Sequence, residues 1–168
     1  MSIAIANFEV AESWTITNGS FDSTYTKQGS NAIKLTSTGF NWDANCNYYP
    51  PGGLNLSAFA DPNNNMSIWV YVDDATKISG VQLTLENTGG VDRFIKSQQT
   101  GGWWQNGWNE VTFLATDFST EGNPSWSTSI AWIKVALAAS GAVTVNAWLD
   151  WWRIITTGGF VTTNSKNW

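Results

Sequence analysis

Met66-Ser-Ile-Trp-Val-Tyr-Val72 decides the fold class. The run is rich in β-branched and aromatic residues and stops at Asp73-Asp74, which reads as a strand. Val81-Gln-Leu-Thr-Leu-Glu86 alternates cleanly and sends Val81, Leu83 and Leu85 inward. Arg93-Phe-Ile-Lys96 follows a Gly89-Gly90 turn, and Trp108 to Leu114 is a further strand. Ile130 to Ala138 reads as buried on at least one face. Beyond Ser140-Gly141, Val143 to Ile155 reads either as two strands or as one long bulged strand. Upstream, Ile3 to Val10 alternates. Trp14-Thr-Ile-Thr17 stops at the tight-turn pair Asn18-Gly19, and Ala32 to Thr36 alternates again. Residues 41–65 are polar and broken by Pro50-Pro51-Gly52-Gly53 and Asp61-Pro62, so they read as a long connection carrying exposed aromatics.

No window sustains a helical period, and Asp73 to Ile78 leaves room for one short turn. The expected fold is all-β, an antiparallel β-sandwich or jelly roll of two sheets over residues 1–155. The Thr-, Gly- and Asn-rich tail, 156–168, is expected to be loosely ordered unless Phe160 and Trp168 dock.

Composition narrows the chemistry. Of 168 residues, 42% are hydrophobic and only 12% charged, with Ser, Thr, Asn and Gly in the missing places. Such a surface suits a partner that offers hydroxyls. The net charge of -5 and eight scattered Lys and Arg give no basic stripe for nucleic acid or anionic membrane. The same balance favours a neutral polysaccharide over an acidic one. No histidine and a single cysteine, Cys46, exclude a disulfide within the chain, a His-based zinc site and a Ser-His-Asp triad. Cys46 reads as a small buried apolar residue. MSIAIANFEV is too short and too soon charged for a signal peptide, and no run has the length of a membrane span. The expected setting is therefore either a region cut from a secreted protein or a protein made and assembled inside a cell. The sequons at Asn18, Asn55 and Asn65 are what chance gives in such a composition.

The order of signals carries a resemblance. Asn7-Phe8-Glu9 precedes Trp14, and Gln28-Gly-Ser-Asn-Ala-Ile-Lys-Leu35 follows. The strand ending at Val72, Gly107 to Phe113, Asp117-Phe118-Ser119, Trp126 and Trp148-Leu-Asp-Trp-Trp-Arg-Ile154 complete the set. Over about residues 5–155 the chain resembles the jelly-roll carbohydrate-binding modules attached to polysaccharide-degrading enzymes, of the galactose-binding-like kind. The resemblance implies two antiparallel sheets, a structural calcium ion, and a sugar site on the concave face or at the loop edge. It also implies that an acid of the first strand and an Asp of the last reach the same ion, a hard cation that wants oxygen ligands. Glu9 and Asp150 hold those places. Asp22 and the carbonyls near Gln28 and Ser30 are the candidates to complete the shell.

Sugar rings pack their C–H patches on aromatic faces while their hydroxyls seek hydrogen-bond partners. Gly101-Gly-Trp-Trp-Gln-Asn-Gly-Trp108 is densest in that chemistry, which makes Trp103 and Trp104 candidate ligand contacts. Trp42, Tyr48 and Tyr49 lie in the polar connection beside Asp43, Asn45 and Asn47. Arg93, with Lys96 and Gln98, could hydrogen-bond a sugar. Trp69, Trp108, Trp132, Trp14, Trp126 and at least one of Trp148, Trp151 and Trp152 are expected to be structural. For hydrolysis, the candidate carboxylate pair is Glu86 and Glu110, in no recognisable motif. The leading expectation is non-catalytic binding of a glycan or polysaccharide through aromatics and neutral hydrogen bonds. The alternative is a phage virion protein (tail, fibre or capsid decoration), a homo-oligomer meeting other virion proteins through the same aromatics.

Overall fold

The computed structural model describes residues 1–99 and 104–156. The expected Trp103 contact and nearly all of the expected tail lie outside them. The described chain forms two antiparallel sheets packed face to face, with three short 3-10 turns and no α-helix among the described residues.

The first sheet contains β1 (Ser2–Ala6), β3 (Gly19–Asp22), β4 (Ala32–Ser37), β6 (Asn65–Val72), β9 (Gly107–Phe113) and β12 (Val145–Ile155). Its order is β3-β4-β12-β6-β9, with β1 alongside the far half of β12. The second contains β2 (Thr15–Thr17), β5 (Ala44–Tyr48), β7 (Ile78–Asn87), β8 (Arg93–Gln99), β10 (Ser119–Glu121) and β11 (Ile130–Ala139). Its order is β10-β8-β7-β11-β5-β2.

Alternation builds the core. On β6 Ile68, Val70 and Val72 point inward and are fully buried, which turns Trp69 and Tyr71 out. On β7 and β11 the inward set is Val81, Leu83, Leu85, Ile133, Val135 and Leu137. Each such side chain contributes roughly 1.5–3 kcal/mol by leaving water. Trp14 joins this core by stacking on Phe8 at 4.8 Å, and Trp126 packs face to face on Phe94 at 3.6 Å.

Two readings of the sequence are corrected. Residues 41–65 are not all connection, because Ala44–Tyr48 is β5, paired with β11 on one side and β2 on the other. Ala44 and Cys46 face the core while Asn45 and Asn47 face out, so the polar half of the alternation hides the strand. Ile3 to Val10 yields a strand only as far as Ala6. Phe8 then takes a left-handed backbone (φ 58°) and dives into the core. Val145–Ile155 is one strand with a bulge. Asp150 pairs with Trp69 and Arg153 with Ser67, and Trp151 absorbs the extra length at φ 48°. The bulge turns Trp152 inward, where it is fully buried.

Candidate functional site

The outer face of the second sheet follows from register. Arg93 pairs with Glu86, Glu86 with Trp132, and Tyr48 with Ile133, so Tyr49 continues the row beside Trp132. Glu121 extends the row at the other end. Its neighbour runs Ile95, Thr84, Lys134, Asn47 and Thr15, and a third runs Ser97, Gln82, Ala136, Asn45 and Thr17. With strands about 4.8 Å apart, Arg93 to Tyr49 spans roughly 15 Å.

The face is aromatic at one end and neutral-polar across its middle. Tyr49 is 68% exposed and lies 6.4 Å from the half-buried Trp132, their planes tilted by 33°. The Arg93 guanidinium stands 5.8 Å from the Trp132 ring centroid. Glu86 holds Arg93 through Nε, and Glu121 adds a second carboxylate at 3.6 Å. Glu86, by hydrogen bond and charge, pushes the Arg93 guanidinium above its ordinary value. Gln82 donates to Ser97 Oγ at 3.0 Å and Asn47 donates to Asn45 Oδ1 at 2.9 Å. Among the described residues these bonds leave the Gln82 and Asn47 carbonyl oxygens unengaged.

The sequence candidates separate here. Tyr49 and Arg93 come together on this face, joined by Trp132. Tyr48 does not, because consecutive strand residues face opposite ways. Its ring stacks on Trp14 at 5.1 Å, against the core. Trp104 is only 7% exposed and belongs to the core, so it presents no platform. The glycines around it do not keep it outside. Trp42 is half-buried in the loop before β5, with φ 54°. Trp132, expected to be structural, lies half-buried on the outward side of β11, between Arg93 and Tyr49. The signal for this placement was its two-residue spacing from Lys134, which marks that side of β11 as outward.

The candidate metal ligands also separate. Residues 27–31 run between Glu9 and Asp150. The backbone N–H groups of Lys27 and Gln28 donate to Asp150 Oδ2. Ser30 N and Asn31 N donate to Glu9 Oε1, and Asn31 Nδ2 donates to Glu9 Oε2 at 3.0 Å. The Asn31 side chain is the largest of the effects that hold the Glu9 carboxyl below its ordinary range. Burial pushes the Asp150 carboxyl up, against the opposing backbone donors and with help from the Glu9 charge. Asp150 Oδ1 is buried with no hydrogen-bond partner among the described residues. That orphaned hard oxygen beside a second carboxylate fits a cation. Asp22 is not part of it, and among the described residues no three acids converge. Asp22 instead accepts from Thr24 N at 2.7 Å.

No protein-family model matches the chain, and no curated protein matches it. Solved structures do. A family 11 carbohydrate-binding module from Clostridium thermocellum, in complex with a β-1,3-1,4-mixed-linked tetrasaccharide, superposes with a TM-score of 0.61 at 11% identity. The match covers 92% of this chain and 95% of that one. The fold is that of a β-sandwich carbohydrate-binding module. A family 30 module gives a TM-score of 0.60 at 10% identity over 99% and 93% of the two chains. An exo-β-agarase gives 0.63 at 12% identity over 93% of this chain and 25% of the enzyme.

On this carbohydrate-binding-module fold, Glu86 and Glu110 are on different sheets. Glu86 faces out from β7 beside Arg93, while Glu110 faces out from β9, accepting from Ser67 Oγ at 2.6 Å and from Arg153 Nη2 at 3.1 Å. The core lies between them, so they cannot flank one glycosidic bond.

Proposed function

We propose that the protein binds a glycan, without cleaving it, on the outer face of the second sheet. The observation that carries this reading is the row Arg93, Glu86, Trp132 and Tyr49 beside the neutral side chains of β5, β7 and β8. Trp132 and Tyr49 offer ring faces to the C–H patches of a sugar, and the half-buried Asn47, Gln82 and Ser97 offer both donors and acceptors to its hydroxyls. The Glu86–Arg93 pair fixes the orientation of the guanidinium, so its remaining N–H groups meet the ligand already ordered. The solved modules of similar fold support this reading, and nothing in them favours the virion alternative.

Structural calcium belongs to the same reading. Asp150 Oδ1 and Glu9 would hold the ion with carbonyl oxygens of residues 27–31, fastening that loop to β12 and to the segment after β1. A bound calcium ion supplies positive charge to two carboxylates and takes no part in glycan contact.

The test is a broad glycan array on the parent, Trp132→Ala and Tyr49→Ala. Binding by the parent that both variants lose while their melting temperatures hold supports the site. Binding that both variants keep places the contact elsewhere, and turnover of any glycan overturns the non-catalytic assignment.

A further inference from the structure

Of the Lys and Arg side chains described, most are engaged. Arg93 pairs with Glu86 and Glu121, Arg153 with Glu110, and Lys77 with Asp74. Lys27 stands over the Trp69 ring at 3.7 Å and Lys34 over Trp148 at 5.0 Å. Lys96 and Lys134 have neither an ion pair nor an aromatic partner among the described residues. Lys96 is in register with Leu83 and so points to the core side of its sheet. Lys134 is in register with Thr84 and Asn47, at the middle of the outer face described above. The acids of that face, Glu86 and Glu121, are both committed to Arg93.

Lysine is a poor strand residue, and here it occupies an interior strand between two neutral neighbours. It is half-buried, and a lysine so placed lays its stem along the neighbouring surface and keeps its ammonium in water. A ligand spread over Trp132 and across Asn47 and Gln82 must cover that tip. A wholly neutral ligand would strip water from an ammonium that has no counter-charge, which is unfavourable. A ligand with an anionic oxygen at that point replaces the lost water with a charge-assisted hydrogen bond.

We infer that the glycan this face selects carries an anionic substituent, a carboxylate or a sulfate ester, and that Lys134 is the residue that reads it. The inference rests on the glycan-binding reading above. It also revises what net charge suggests, because the overall deficit of cations does not describe this patch.

The experiment measures binding of the parent, Lys134→Gln and Lys134→Arg by affinity electrophoresis and calorimetry, at low and at high NaCl. The probes are polygalacturonate, a sulfated galactan, a neutral mixed-linkage β-glucan and neutral agarose. An anionic probe is expected to bind on the order of tenfold or more tighter than either neutral one. That preference should shrink with salt, vanish in Lys134→Gln and survive in Lys134→Arg. Binding to polygalacturonate alone assigns the carboxylate, and to the galactan alone the sulfate ester. Neutral probes bound as tightly as anionic ones, or a preference untouched by Lys134→Gln, overturn the inference and leave the platform standing. Binding of none of the four overturns the platform and the inference together.

Discussion

Tyr49, the first residue beyond β5, and Trp132 on β11 hold their ring centroids 6.4 Å apart, both on the side of the sheet away from the core. Neither ring is needed to fill the interior, so removing them should separate binding from stability. Trp132→Ala is expected to weaken glycan binding by about tenfold or more, or about 1.4 kcal/mol. Its melting should fall only slightly, by the roughly 1 kcal/mol typical of a point substitution. Trp152→Ala, in the core, should lose about 3–5 kcal/mol of stability instead. Calorimetric binding and thermal unfolding on the same samples check both.

Gly29 has φ 72°, and a Cβ built on it would fall 1.9 Å from Glu9 Oε1. Gly29→Ala therefore combines a left-handed backbone with a direct clash at the residues that hold the 27–31 loop. A loss of about 1–3 kcal/mol is expected. In a Glu9→Ala background, which already lacks the loop's hydrogen bonds to Glu9, Gly29→Ala should cost less than in the parent, because the clash is gone and only the backbone strain remains; thermal melts of the four proteins check this.

Asp43 accepts from Ser37 Oγ, and from Thr38 N and Thr38 Oγ1 at 3.1 Å each. Burial works against its ionised form, yet the Ser37 and Thr38 donors outweigh it and hold the carboxyl below its ordinary range. The folded state thus binds the proton less readily than the unfolded chain. The stabilisation is complete above the unfolded value of about 3.9 and is lost as pH falls through the lower folded one. The difference in melting temperature between parent and Asp43→Asn should be constant from about pH 5 to 7 and narrow below about pH 4. A difference that widens in acid contradicts this account.

Calcium should raise the melting temperature of the parent relative to the same protein in a chelator. Asp150→Asn should abolish the increment, because a neutral amide replaces the carboxylate that holds Oδ1. An unchanged melt in the parent, with and without the ion, removes calcium from the proposal.

The sheet strands were legible wherever one face is apolar and the other clearly polar. Val81–Glu86 falls inside β7 with Val81, Leu83 and Leu85 inward as read, and the strand read over Trp108–Leu114 is β9 as far as Phe113. β5 was not legible, because its inward residues are as small as Ala44 and Cys46 and its outward ones are asparagines that also populate turns. The site was half legible. The mix of aromatic and polar residues over 101–108 suggested ligand contact for Trp104, but burial is decided by chain paths that local composition does not report. Tyr48 and Tyr49 looked equivalent as a pair of loop residues. Once they end a strand, alternation assigns one to the core and the other to solvent.

The pairing of β1 with β12 has a mechanical meaning. Met1 O accepts from Thr156 N and Thr156 Oγ1, so the first and last described residues sit side by side, and the ladder runs inward from there through Ser2 and Ile155 to Ala6 and Trp152. A pull that separates those two ends acts across this antiparallel ladder, on its outermost bond first, and opens it one rung at a time. Shear would load all the rungs together. The sandwich can therefore be stable to heat and still yield its first strand to a weak tug, while the second sheet and its outer face stay assembled.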